Sequence, residues 1–303
     1  MSNHEKGKAA QSVPAIQAQA LTKSYGKARG IVDVDLCIEQ GDIFGFIGPN
    51  GAGKSTFIRT LLGLISPSSG SAQVLGFDCV REKKAVLAQV GYMPSEAQFY
   101  HGMKVKDVLG FSASLRKKDC SKRAAQLCER LDLDPGRKVN ELSLGNRKKV
   151  SIVCALQHNP RLYILDEPTS GLDPLIQKEF FSVLMESHTQ GATILLSSHV
   201  LSEVQRYCHN AAIIREGKIV VSGAVESLSS TTARRVYIRG PHKLSLSEGV
   251  KDLHVDEDGM GFLYQGDMKK LISAINELDV SDVTIEEPDI EEVFMHFYSR
   301  GDQ

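Results

Sequence analysis

The chain has 303 residues, 42% hydrophobic and 24% charged, enough for one large globular domain plus a small one. A formal net charge of −1 gives no global basic field of the kind nucleic-acid binding uses, so no nucleic-acid partner is expected. No apolar run approaches the ~18–20 residues that span a bilayer, and the polar start MSNHEKGKAAQSVP lacks the apolar core of a signal peptide and reads as a tail over residues 1–14.

Strands are predicted first, in IQAQALTKSYG, IVDVDLCIEQG and DIFGFIG, with Ile31, Asp33 and Asp35 alternating against Val32, Val34 and Leu36. A helix follows over about 55–65, carrying Phe57, Ile58, Leu61, Leu62 and Ile65 on its apolar stripe. From about 80 to 160 the pattern is mostly helical. RLYILDEP then reads as a short, nearly all-apolar strand of the buried parallel kind, and ATILLSS and AAIIREGKIVVSG as later strands with a helix between them. Helical and strand segments alternate, which makes the main unit α/β. Composition shifts at LSSTTA, near 228–233; beyond it lie candidate strands at 235–239, 251–256 and 260–264, a helix near 267–278, a strand near 281–286 and a last helix capped by Asp289. The domains expected are therefore 15–230 and a small α+β appendage over 231–303. Six cysteines, at 37, 79, 120, 128, 154 and 208, show neither CxxC pairs nor zinc-ligand spacing and read as buried, reduced thiols of a cytosolic protein.

GPNGAGKST, residues 48–56, fits GxxxxGK[ST] between an apolar strand and a helix, the context this motif requires. Gly48, Gly51 and Gly53, with Asn50 and Ala52 between them, let successive backbone N–H groups point inward at phosphates. Lys54 would reach the β- and γ-phosphates, and Ser55, followed by Thr56, would ligate Mg²⁺. Asp166 ends the apolar strand and would hold the same ion; Glu167 beside it suits a base that orients an attacking water. His199 ends another predicted strand, where α/β folds place ligand-facing loops. A guanine-reading NKxD motif is missing, which excludes a GTPase, and a small-molecule P-loop kinase does not explain Glu167 directly after Asp166. LSLGNRKKV, residues 142–150, reads as a helix start capped by Ser143 with Gly145 inside the first turn. Its cations Arg147, Lys148 and Lys149 are unusual where the macrodipole leaves partial positive charge. They suit either an anion supplied from outside or a solvated basic face.

With these motifs in this order, residues 15–230 resemble the ATP-binding-cassette (ABC) ATPases. GPNGAGKST is similar to the Walker A loop, LYILDEPTSGLDP to Walker B running into the D-loop with Asp173 as its acid, and SSH to the switch-histidine motif. LSLGNRKKV stands at the signature position, and Tyr25 stands where the family stacks an aromatic ring on adenine. The resemblance implies a P-loop fold with a RecA-like α/β core, an antiparallel β subdomain and a helical subdomain. It implies ATP and Mg²⁺ as ligands and ATP hydrolysis as the reaction. It also implies a head-to-tail dimer, in which Ser143 and the backbone at Gly145 meet the γ-phosphate of ATP held by a second subunit.

Two departures stand out. Leu144 and Asn146 replace a glycine and a glutamine of the LSGGQ pattern, and Ser95 stands where the family has a glutamine that touches Mg²⁺ and reports to the membrane subunit. LSLGN and the C-terminal EEPDIEEVFMHFY look like the ATPase subunits of ABC-2-type exporters. That implies a separate integral membrane permease, contacted through residues 95–103, and a peripheral place on the cytoplasmic face of the membrane. A soluble ABC ATPase acting on ribosomes or DNA is the alternative; the single cassette and the short stretch between Lys54 and Ser143 weigh against it. An ATP-binding regulator with little turnover is the other, opposed by intact Lys54, Asp166, Glu167 and His199. The appendage carries no ligand pattern and is left between capping or dimer contacts and a regulatory role.

Overall fold

The computed structural model describes residues 13–26, 28–96, 98–100, 102–229, 234–240, 248–256 and 258–286. The helix expected from Asp289, and the expected tail up to residue 12, lie outside the described residues. The chain divides into two compact units, one ending at Gly223 and the other starting at Ala224.

The first unit runs β1 (Ile16–Tyr25), β2 (Ala28–Ile38), β3 (Ile43–Ile47), α1 (Lys54–Leu61), β4 (Ser69–Val74), β5 (Phe77–Asp78), α2 (Lys83–Gln89), β6 (Val90–Met93) and α3 (Val105–Leu115). It continues with α4 (Ser121–Arg130), α5 (Leu144–Leu156), β7 (Leu162–Asp166), α6 (Pro174–Thr189), β8 (Thr193–Ser198), α7 (Leu201–Tyr207), β9 (Asn210–Arg215) and β10 (Lys218–Ala224). This is the α/β class expected from the sequence, in three parts: an antiparallel sheet ordered β2-β1-β4-β5, a larger sheet ordered β10-β9-β3-β8-β7-β6, and the helices α3 to α5.

Strands β9, β3, β8, β7 and β6 of the larger sheet are parallel. Parallel strands covered on both faces read as continuous apolar runs. Accordingly IFGFI in β3 and LYILD in β7 are buried at every position. Phe57 of α1 packs on Phe46 of β3 with ring centroids 4.9 Å apart, seating the helix against the sheet. Asp173 caps α6 by accepting from the Leu175 and Ile176 amides at 3.1 and 3.0 Å, with Pro174 in the first turn. Arg130 of α4 grips Glu186 of α6 with two nitrogens, each 2.7 Å from a carboxylate oxygen, and also pairs with Glu179.

Several expectations need correction. The β2 alternation breaks: Ile31, Val34, Leu36 and Ile38 are buried, whereas Val32 is exposed with Asp33. Asp33 sits at φ 47° and bonds Thr22 Oγ1 through its amide and its carboxylate, a bulge that shifts the phase by one residue. The first helix stops at Leu61 rather than near 65, followed by Gly63 at φ 62°. The stretch 69–78, where no strand is expected, holds β4 and β5, and the stretch from about 80 to 160, expected to be mostly helical, contains β6. VGYM is too short for its period to be told from that of a helix end; its pairing with β7 decides it. Cys37 is exposed on β2, so the thiols are not all buried.

The second unit, taken alone, comprises α8 (Val225–Ser229), β11 (Arg234–Arg239), β12 (Val250–Val255), β13 (Gly259–Tyr264), α9 (Met268–Asn276) and β14 (Asp282–Glu286). Its antiparallel sheet is ordered β12-β13-β11-β14, and Leu271 and Ile275 of α9 share a core with Val236, Ile238, Met260, Phe262 and Tyr264.

Candidate functional site

Three neighbouring parallel strands end together. Ile47 of β3 pairs with Ser198 of β8, and Ser197 of β8 pairs with Asp166 of β7. The 48–53 loop, Asp166, Glu167 and His199 therefore leave the sheet at one edge, the carboxyl end where α/β sheets bind ligands.

The loop is shaped by steric limits. Gly51 and Gly53 have φ of 79° and 113°. A Cβ on Gly48 would stand 2.5 Å from the Ile214 carbonyl oxygen, and one on Gly53 would stand 3.0 Å from Gly30 O. Ala52 is buried; its amide bonds Pro49 O and its carbonyl accepts from the Gly217 amide. Asn50 and Gly51 are exposed at the tip, and Ser55 and Thr56 are half-buried in the first turn of α1. That turn has Gly53 at its cap position, no capping side chain and no acidic residue. Its amides and dipole are thus left to an external anion.

Lys54 is 5% exposed. Its Nζ donates to Gly48 O at 2.6 Å and Pro49 O at 3.2 Å, and lies 3.1 Å from Glu167 Oε1. The other Glu167 oxygen lies 3.2 Å from His199 Nδ1. Burial alone would raise the Glu167 pKa; the Lys54 hydrogen bond and charge, with His199, outweigh it and hold the carboxyl below its ordinary value of 4.5. Glu167 takes a left-handed backbone, φ 48°, its amide donating to Ser197 O and Ser197 Oγ. Ser197 Oγ in turn donates to Asp166 Oδ1 at 2.6 Å. Asp166 is fully buried and its Oδ2 has no hydrogen-bond partner. A buried carboxylate oxygen left bare is costly. An oxygen-only donor set of Asp166 and Ser55 fits a hard divalent cation such as Mg²⁺.

Lys54, Asp166, Glu167 and His199 are thus brought together, and Ser197 is a member that sequence reasoning missed, although it stands in the same SSH triplet as His199. Tyr25 lies at the end of β1, 46% exposed, with Lys23 Nζ 5.3 Å from its ring centroid. Gly30 of the same hairpin abuts Gly53. Ser143 caps α5, its Oγ accepting from the Asn146 amide at 3.3 Å. Gly145 faces the D-loop: a Cβ there would stand 2.8 Å from Gly171 O, two residues before Asp173. Neither reading of the three cations survives intact. Arg147 is exposed, but Lys148 and Lys149 are buried and committed to backbone carbonyls, Ser95 O at 2.8 Å and Asp132 O at 3.2 Å.

A glycine-lined loop opening an uncapped helix, with a buried lysine and a strand-end acid pair, defines a P-loop nucleotide triphosphatase site. Residues 31–170 match the family model described as ABC transporter. The bacitracin transport ATP-binding protein BcrA of Bacillus licheniformis is 32% identical over 301 residues, covering 94% of this chain and 98% of that protein. The Nod factor export ATP-binding protein I of Paraburkholderia xenovorans is 31% identical over 246 residues, 79% of this chain and 81% of that one. A solved ATP-binding subunit of an ABC transporter has a TM-score of 0.67 at 29% identity over 71% of this chain and 91% of its own. The chain belongs to the ATP-binding subunits of ABC transporters, and its activity is that of an ATPase.

The charge arrangement carries a pH signature. Because the folded-state pKa of Glu167 lies below its unfolded value, the pair with Lys54 stabilises the chain above about pH 4.5, and that contribution disappears as pH falls through the folded-state pKa. Urea melts of the nucleotide-free chain should show wild type more stable than Glu167→Gln at about pH 7, with the gap narrowing as pH is taken below 4.5. A gap that is independent of pH would contradict the ion pair.

Proposed function

We propose that the chain is the motor subunit of an exporter, hydrolysing ATP between two copies of itself and driving a separate membrane permease from the cytoplasmic face. One observation carries the nucleotide part: the Lys54 ammonium is buried against Gly48 O, Pro49 O and Glu167. Phosphate oxygens offer that ammonium stronger partners than neutral carbonyls do. On ATP entry Lys54 turns to the β- and γ-phosphates, and Glu167 loses the cation that keeps its pKa low. Burial then raises its basicity, which suits a group that orients and deprotonates the attacking water. His199 keeps the Glu167 carboxylate oriented. Water adds to the γ-phosphorus, the bond to the β-phosphate oxygen breaks, and ADP and phosphate leave. Mg²⁺, held by Ser55 and Asp166, would neutralise phosphate charge. Asn50, Gly51, Ala52, Gly53 and Thr56 line the phosphates, and Tyr25 stacks on the adenine.

The family resemblance and two exposed leucines support a second copy. Leu144 beside Ser143 is 68% exposed and Leu175, two residues after Asp173, is 79% exposed, large apolar groups at the two motifs that would close on the partner's ATP. With ATP and Mg²⁺, Glu167→Gln should bind nucleotide yet fail to turn it over, and light scattering should report a dimer. A monomer under those conditions would contradict the sandwich.

The names of the bacitracin and Nod factor relatives support the exporter reading. Among the described residues no helix is long and apolar enough to cross a membrane, which fits a permease on another chain. Tyr100, Phe111 and Leu115, 73%, 50% and 67% exposed, are large apolar groups open to such a partner on and after the 95–103 segment. A pull-down with Glu167→Gln and ATP from detergent-solubilised native membranes should recover a stoichiometric integral membrane protein; ribosomal proteins or DNA in its place would overturn the transporter assignment.

A further inference from the structure

Cations also open α4. Cys120 at its cap position supplies no capping side chain, the first turn holds no acid, and Lys122 and Arg123 stand in that turn. Positive side chains there oppose the macrodipole instead of complementing it. This end of α4 borders a polar cavity of about 370 Å³, a size that small ligands occupy. Its walls include Lys118, Asp119, Lys122 and Arg123 around the start of α4, His158 just past α5 and Gln190 just past α6.

The charge on these walls is unbalanced. Asp119 is the one carboxylate among the described lining residues, and it accepts from the Ser121 amide at 2.9 Å. Glu186 also feels the Arg123 charge, but two nitrogens of Arg130 hold it at 2.7 Å each. Lys118 Nζ has only the neutral His158 carbonyl, at 3.3 Å.

Surface lysines alone do not make a site; here buried polar atoms beside them are unmet. His158 is 4% exposed. Arg116 Nε donates to its Nε2 at 3.1 Å, and a guanidinium cannot accept, so Nε2 is the accepting nitrogen. Val90 O, 3.3 Å from the same nitrogen, then receives no proton from it. Burial, with the Arg116 charge, pushes the His158 pKa down to about 4, so the ring is neutral at pH 7 and carries its hydrogen on Nδ1. That Nδ1 is buried without a hydrogen-bond partner, and so is Arg123 Nε. Gln157, 3% exposed, also lines the cavity; its Nε2 donates to Leu109 O at 3.1 Å, while its Oε1 has no partner. Buried polar atoms in folded chains are nearly all paired, so three unmet ones on residues of one cavity call for a ligand.

We propose that this cavity binds a phosphate group, free or as a small hydroxylated ester, at a site separate from residues 48–56. Lys118, Lys122 and Arg123 supply the charge. The phosphate oxygens accept from Arg123 Nε and His158 Nδ1, and a hydroxyl of the ester donates to Gln157 Oε1. Phosphate suits these donors because it offers acceptors on every side, and a monoester, with a second pKa of about 6, is mostly a dianion at pH 7. Bound there, it ties the start of α4 to the ends of α5 and α6.

The test is titration calorimetry with inorganic phosphate and, separately, with glycerol 3-phosphate, on chain saturated with a non-hydrolysable ATP analogue and Mg²⁺ so that residues 48–56 are occupied. At least one probe should bind one to one with a Kd below about 1 mM at 0.15 M salt. Arg123→Gln and Lys122→Glu should each weaken that binding at least about tenfold, and His158→Phe at least about threefold, with affinity for the ATP analogue within about twofold of wild type. If Arg123→Gln does not fold, Lys122→Glu, at an exposed position, decides the matter alone. Tighter binding of glycerol 3-phosphate would assign the cavity to an ester held through Gln157 Oε1, and tighter binding of inorganic phosphate would assign it to the bare ion. Failure of both probes to bind, or binding that the variants leave unchanged, would overturn the site.

Discussion

Lys54 is buried, and a buried ammonium is tolerated only where its charge is answered. The answer comes from Gly48 O, Pro49 O and Glu167. That constraint explains much of the surrounding architecture. Three parallel strands must end in register so that the carboxylate beyond β7 reaches the lysine that opens α1. The backbone at Glu167 accepts a left-handed conformation to aim its side chain, held by two hydrogen bonds from its amide to Ser197. Glycines at 48, 51 and 53 let the loop close where a Cβ would strike backbone or force strain.

The same requirement recurs along α5. Lys148 and Lys149 are as deeply buried as Lys54, and each is answered by a backbone carbonyl from a different segment, Ser95 and Asp132. Lysine serves here as a tether: its long aliphatic stem packs as apolar surface while its head fixes a loop. The helix that presents Ser143 is thereby tied both to the loop after β6 and to the turn after α4. Its own first turn rests on Gly171 of the D-loop. Motifs distant in sequence are thus joined through single contacts of one helix.

The α/β class and the phosphate loop were legible because they are local. Nine consecutive residues specify strand end, glycine-lined loop and helix start, and Asp166 and Glu167 follow an apolar run that is a strand by length alone. What could not be read depends on contacts between segments. The bulge at Asp33 exists because Thr22, on the neighbouring strand, bonds it twice, and no period-2 count in β2 contains that information. β6 is a strand because β7 pairs with it. Lys148 and Lys149 look like surface cations in a basic run, since helical spacing gives no sign that two carbonyls from other segments will take them. Ser197 is unremarkable in a string of small residues until register sets it opposite Asp166.

We propose that ATP is held by the 48–56 loop of one copy and the start of α5 of another. A crystal or cryo-electron-microscopy structure of Glu167→Gln with ATP and Mg²⁺ tests it directly. Lys54 should be withdrawn from position 167 and paired with the β- and γ-phosphates, with Ser143 Oγ and the Gly145 amide of the second copy within hydrogen-bond reach, about 3 Å, of the same γ-phosphate. Nucleotide bound away from the loop, or bound there with Ser143 of both copies facing solvent, would contradict it.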